Sequence, residues 1–241
     1  MKEYTLSADA LVYAVVLCDQ EGIYGVRNVL LGMKPDQVPA FVEKASEELE
    51  QASAGFLSFD GAFEMEEDFR EIINRLCGCH TVVFAQKNCG KQESTFTCYL
   101  TVPGTPVMEQ VGEDLYKLYP ECDARKQLEA FLDAEKLCPA EMDECRVDSG
   151  LAAKRDVVGM KAAGIPEAVA EMIAGIRKGK GTQYSVDKIV NDEDAGGIVV
   201  VTGEAGAVAL DVEYTETQEL LAVKPVSAQA LCEAISGFLA D

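Results

Sequence analysis

The chain runs twice through one order of signals, from about residue 54 to 136 and again from about 163 to 241. Each pass has an Ala-Gly turn, an amphipathic helix, a string of short strands and a closing helix. The turns are Ala54-Gly55-Phe56 and Ala163-Gly164-Ile165, and residues 81–111 register on 182–212 with a constant offset and no gap. Thr81 meets Thr182, Lys87 meets Lys188, Thr101 meets Thr202, Val107 meets Val208 and Val111 meets Val212. Few positions are identical; order, spacing and polarity carry the match. In both passes strand follows strand without the helical crossover that parallel neighbours require, so antiparallel pairing is expected. The predicted fold class is α+β: a pseudo-twofold duplication of helix–antiparallel strands–helix units, with a winged-helix-like N-terminal portion. Residues 1–136 form the predicted N-terminal half, 137–150 a polar, irregular linker and 151–241 the C-terminal half, packed as one compact domain.

Periodicity places the elements. Ser7 is the predicted N-cap of a first helix with Leu11, Ala14, Val15 and Cys18 on one face. Pro35 is placed at the start of a second helix bearing Val38, Phe41, Val42, Ala45 and Leu49, and Gly55 ends it with a positive φ. Asp60-Gly61 between two apolar runs predicts a hairpin over 57–65, an insert with no counterpart in the second pass. Phe69, Ile72, Ile73 and Leu76 stripe a third helix, answered by Val169, Met172, Ile173 and Ile176. Predicted strands cover 81–86, 95–102, 107–111 and 115–119, then 184–190, 198–202, 208–212 and 220–223, with Pro103-Gly104 as a turn. Closing helices carry Leu128, Phe131 and Leu132, and, after Ser227, Leu231, Ile235, Phe238 and Leu239.

Charge removes several function classes. Lys and Arg total 21 against 42 Asp and Glu, a formal charge of −21. A nucleic-acid groove needs clustered cations to displace counterions from phosphate, so nucleic acid is not an expected partner. Anionic membrane is disfavoured on the same ground. No apolar run approaches the roughly 20 residues that span a bilayer, and the apolar stretch Ala10 to Cys18 lacks a signal-peptide cleavage pattern. A cytoplasmic location is the expectation. Nine cysteines, an odd number, with Cys18, Cys98 and Cys232 at core-patterned positions, suit buried free thiols in a reducing compartment better than a disulfide framework.

One cluster looks reactive: Cys77-Gly78-Cys79-His80, with Cys89 nearby in sequence. A thiolate beside an imidazole can act as a nucleophile, and Cys and His can bind zinc. The spacing suits zinc poorly, because structural pairs leave two to four residues between cysteines and no second pair follows. The plainer reading makes Gly78 a helix cap and His80, the sole histidine, a strand-start residue. Gly159, Gly164, Gly175, Gly179 and Gly181 match neither phosphate-loop pattern. Asn191-Asp192-Glu193-Asp194 lacks the alternating oxygens and terminal Glu of a calcium loop. Two polar loops, 86–94 and 190–197, are twins in the two passes and are candidates for recognition on a rigid scaffold. No catalytic, cofactor-binding or metal-ligating residue is assigned, and no cofactor is expected.

The opening LSADALVYAVVL and the stretch EELEQASAGFLSFDGAFEMEEDFREIINRL, followed by the duplicated strand–helix halves, resemble the EspG-type chaperones of the type VII (ESX) secretion system. The likeness runs through nearly the whole chain as pattern, without a diagnostic motif. Many cysteines, no tryptophan and the 57–65 insert set this chain apart and leave its partner open. The resemblance implies a quasi-twofold α+β fold and a cytosolic, non-catalytic chaperone or adaptor rather than an enzyme. Its partner would be a small helical secreted protein, held soluble and delivered to the export machinery. Two rival readings stand beside it. One is a thiol- or zinc-dependent enzyme centred on Cys77, Cys79 and His80. The other is a domain that forms a homodimer through an exposed sheet edge.

Overall fold

A computed structural model describes residues 2–101, 104–152, 156–214 and 219–240. The predicted strand end at Val102 and the turn residue Pro103 lie outside the described residues.

Ser7 ends one element and starts the next. Strand β1 (Tyr4–Ser7) runs directly into helix α1 (Ala8–Leu17). Ser7 holds an extended backbone, and its hydroxyl accepts a hydrogen bond from the Ala10 N–H at 3.2 Å, satisfying one of the orphan donors of the first turn. The predicted cap is therefore correct, but the strand before it was not foreseen. Four residues with only Tyr4 and Leu6 buried give too short an alternation to stand out. Helix α1 also buries more than one face: Ala8, Ala10, Leu11, Val12, Tyr13, Ala14 and Val15 are all inaccessible, the pattern of a core helix.

Helix α2 (Val38–Gln51) buries Phe41, Ala45 and Leu49. Pro39, not Pro35, occupies its first turn. Its C-terminal end also differs from expectation. Ser53 takes the left-handed conformation (φ 50°), and the Ala54 N–H closes on the Leu49 carbonyl at 2.8 Å. Gly55 has a different task. It opens β2 (Gly55–Leu57), which pairs with β3 (Phe63–Met65) in the register Gly55↔Met65, Phe56↔Glu64, Leu57↔Phe63. A Cβ at Gly55 would collide with the Phe63 ring and stand 2.7 Å from the Glu64 carbonyl oxygen. Helix α3 (Glu67–Cys77) buries the predicted stripe of Phe69, Ile72, Ile73 and Leu76.

The remaining elements in chain order are β4 (Thr81–Cys89), β5 (Gln92–Tyr99), β6 (Val107–Gln110), β7 (Leu115–Tyr119) and α4 (Ala124–Phe131). After them come β8 (Cys145–Asp148), α5 (Ser149–Ala152), α6 (Val157–Ala162), α7 (Glu167–Gly175), β9 (Gly181–Val190) and β10 (Glu193–Gly203). The chain ends through β11 (Gly206–Tyr214), β12 (Glu219–Pro225) and α8 (Ala228–Leu239). The fold is α+β, with a large sheet whose registered pairs are antiparallel. One run of strands has the order β1-β7-β6-β5-β4, and another β9-β10-β11-β12-β8. Strand β8 falls inside 137–150, read from sequence as irregular. It is an outer strand with one inward residue, Val147, opposite Leu221, so its polar composition hid it. Among the described residues no helix is long and apolar enough to cross a membrane.

Contacts divide the chain into two compact units. One comprises Met1–Phe84, Thr95–Ala124 and Ile189–Glu193, the other Ala85–Ser94, Arg125–Lys188 and Asp194–Asp241. The first packs α1, α2 and α3 through Leu11, Leu49, Phe69 and Ile73, with the Tyr4 and Phe69 rings 4.7 Å apart. The second packs Val169, Met172 and Ile173 of α7 against Val201, Val208 and Val223. Each such side chain contributes roughly 1.5–3 kcal/mol by leaving water.

Candidate functional site

Helix α3 ends at Cys77, Gly78 caps it, and β4 begins at Thr81, so residues 77–80 lie at one helix-to-strand corner. The corner borders a cleft of about 450 Å³, lined among others by Ile23, Tyr24, Cys77, Cys79, His80 and Asp192. The His80 imidazole is exposed, and its backbone carbonyl accepts from the Asn191 N–H at 2.7 Å. The structure thus brings Cys77, Cys79 and His80 to one place, as the spacing implied.

The chemistry of that place is muted. Burial pushes the Cys77 thiol up to about 12, with Cys18 nearby adding to the effect. Burial also raises Cys79, whose S–H donates to the Thr81 carbonyl at 3.0 Å. Nucleophilic attack and zinc ligation both need thiolate, which these surroundings oppose near neutral pH. Cys89 stands at the far end of β4, roughly 26 Å from Thr81 along an extended strand. Among the described residues no three His, Cys, Asp or Glu side chains are grouped to hold a metal ion.

The glycine sets resolve into structural tasks. Gly159 donates its N–H to the Asp156 carboxylate, which caps α6, at 2.7 Å. Gly179 takes φ 68° where the helix after α7 ends. At Gly181 a Cβ would stand 2.7 Å from the Thr202 carbonyl oxygen. A wider hollow of about 890 Å³ lies beside Glu171, Met172, Lys178, Lys180 and Glu204, carrying both signs of charge.

The segments read as recognition loops 86–94 and 190–197 are mostly strand. Gly90 (φ 65°) and Lys91 alone connect β4 to β5. Asn191 and Asp192, both with positive φ (51° and 64°), connect β9 to β10, as a type I′ hairpin demands. Extension of the strands left little loop at either place.

The surface feature that sequence reasoning passed over is the tip of the β2–β3 hairpin. Phe56 and Leu57 are exposed (42% and 57%) and Phe59 is fully exposed. The sequence marks this insert as unshared and places its Phe and Leu only in the apolar runs of a hairpin, without saying which of them face solvent. A signal was present: Phe59 directly precedes Asp60-Gly61, where a turn leaves no strand to cover it.

No protein-family model matches the sequence, and no curated protein is similar to it in sequence. Comparison of folds does find likenesses. One is with the Mycobacterium tuberculosis type VII secretion system chaperone EspG5, solved in complex with the PE25–PPE41 dimer. The match has a TM-score of 0.67 at 14% identity and covers 99% of this chain and 96% of that one. A likeness at that identity speaks to architecture, while function has to be argued from sites. In architecture, then, the chain has the α+β fold found in a type VII secretion chaperone, from end to end.

Proposed function

We propose that this protein is a non-catalytic cytoplasmic chaperone or adaptor for a type VII secretion substrate. One observation carries the reading: the end-to-end fold match with EspG5, a chaperone solved holding a PE25–PPE41 dimer. Two further features support it. Burial opposes ionisation of the Cys77 and Cys79 thiols, and an apolar tip stands in solvent where a binding body has use for one. The substrate is a small helical protein, recognised by surface complementarity and kept soluble until export.

Coexpression tests this. The chain is produced with the small helical proteins encoded beside it and run through size-exclusion chromatography with light scattering. The expected result is a stable complex of fixed stoichiometry with one of them. If every such protein elutes apart from the chain at micromolar concentration, the reading is wrong.

A further inference from the structure

The β2–β3 hairpin is internally braced, has an exposed apolar end and carries two carboxylates, Asp60 and Glu64. Its base is held in the first unit's core. Met65 is buried, and the Phe63 ring lies 5.9 Å from that of Tyr13. The Glu66 N–H donates to the Ala54 carbonyl at 3.0 Å, closing the base. The tip is braced from within: the Ser58 N–H donates to the Ala62 carbonyl at 2.8 Å and the Gly61 N–H to the Ser58 carbonyl at 2.9 Å. The Ser58 hydroxyl donates to the Asp60 carboxylate at 2.5 Å and helps hold that carboxyl below its ordinary value. The Phe56, Leu57 and Phe59 side chains therefore stand in water on a backbone that is already ordered. Docking them costs little conformational freedom, and aromatic anchors on rigid backbone are the usual source of binding energy.

Charge selects the partner. Residues 47–71 contain nine Asp and Glu and a single cation, Arg70, which donates to the Leu17 carbonyl. The whole chain carries −21. A second copy would bring the same acidic surround to the same tip, and an anionic lipid surface would repel it likewise. What fits is an apolar surface edged with cations. We propose that the β2–β3 hairpin is a docking finger for an amphipathic partner helix whose apolar stripe is flanked by Lys and Arg. It is carried by the hairpin's own exposure and bracing and by the acidity of the segments that flank it, and it stands independently of the secretion reading.

The probe is a fluorescent amphipathic helical peptide of Leu and Lys, about 18 residues long so that it holds a helix, read by anisotropy against the full chain. A Leu/Glu peptide of the same pattern is the charge control. Phe59→Ser and Leu57→Ser test the finger, and Val158→Ser, at a second exposed apolar position, tests generic stickiness. The expected result is binding of the Leu/Lys peptide, weakened about tenfold (roughly 1.4 kcal/mol) by Phe59→Ser and by Leu57→Ser. Val158→Ser leaves it unchanged, and affinity falls as salt rises toward about 1 M. Circular dichroism melts of the variants, matching the parent, confirm the fold. Four results overturn the proposal: no peptide binding, equal binding of the Leu/Glu peptide, equal binding by Phe59→Ser, or Phe59-dependent dimerisation in light scattering. None of these bears on complex formation with a secreted substrate, so the two readings fail separately.

Discussion

Alkylation of Cys77 distinguishes a reactive centre from a packed thiol. Cys77 is half-buried at the end of α3, and desolvation moves its pKa from 9.0 to about 12. Only thiolate attacks an alkylating agent. At about pH 7.5 an ordinary thiol of pKa 9.0 is roughly 3% ionised, whereas one at 12 is ionised about a thousandfold less. Exposed Cys138 provides an internal clock on the same molecule. The native chain is treated with iodoacetamide, quenched at intervals and read peptide by peptide in a mass spectrometer, with a urea-unfolded sample as reference. Cys77 is expected to label two to three orders of magnitude more slowly in the native chain than in urea, roughly the ratio of its own thiolate fractions. The raised folded pKa also sets a pH window. Its contribution to stability is complete below the unfolded value near 9 and is lost as pH rises toward 12, so alkali weakens the fold through this thiol. Labelling of native Cys77 at its rate in urea, or an inflection in its rate below about pH 8, would refute the desolvation argument and revive the enzyme reading.

Two further perturbations test the fold. Ser7→Ala removes the cap on Ala10 and the hydroxyl bond to Glu48 at 2.6 Å, which together stabilise by about 1–2 kcal/mol. Calorimetry should show Tm lower by several degrees, and an unchanged Tm would mean that the cap is dispensable. The Asp187 carboxyl is pushed up by burial and then by Asp194. Its folded pKa exceeds the unfolded one, so stability falls as pH rises through that interval, and Asp187→Asn is expected to stabilise at pH 7 but not at about pH 3. Urea melts at the two pH values decide it; an equal gain at both would assign the effect to packing.

Much of this architecture is legible in the sequence because it is written in near-neighbour chemistry. Phe69, Ile72, Ile73 and Leu76 mark a helix by spacing alone, and all four are buried. Ser227 caps α8 through the Ala230 N–H at 3.2 Å for the same local reason that Ser7 caps α1. The misreadings share another origin. Strand β1 exists because Leu6 and Thr5 find Tyr116 and Lys117 on β7, over a hundred residues away. Strand β8 exists because Val147 finds Leu221. Gly55 reads as a helix terminator in sequence because nothing local shows that the Phe63 ring lies against it. Candidate-site residues 77–80 could be named from sequence, but their reactivity could not.

By itself the sequence determined the α+β class, the antiparallel sense of the registered strand pairs, the Ser7 and Ser227 helix caps and the acidity of the chain. Periodicity, turn residues and formal charge are properties of the chain read in order, and no distant contact is needed to evaluate them. Only the tertiary structure decided which thiols lose water, which strands pair at the outside of the sheet, and that Phe59 has nothing to cover it. Desolvation, strand pairing and exposure depend on what lies across space from a residue, and that is settled when the chain closes on itself.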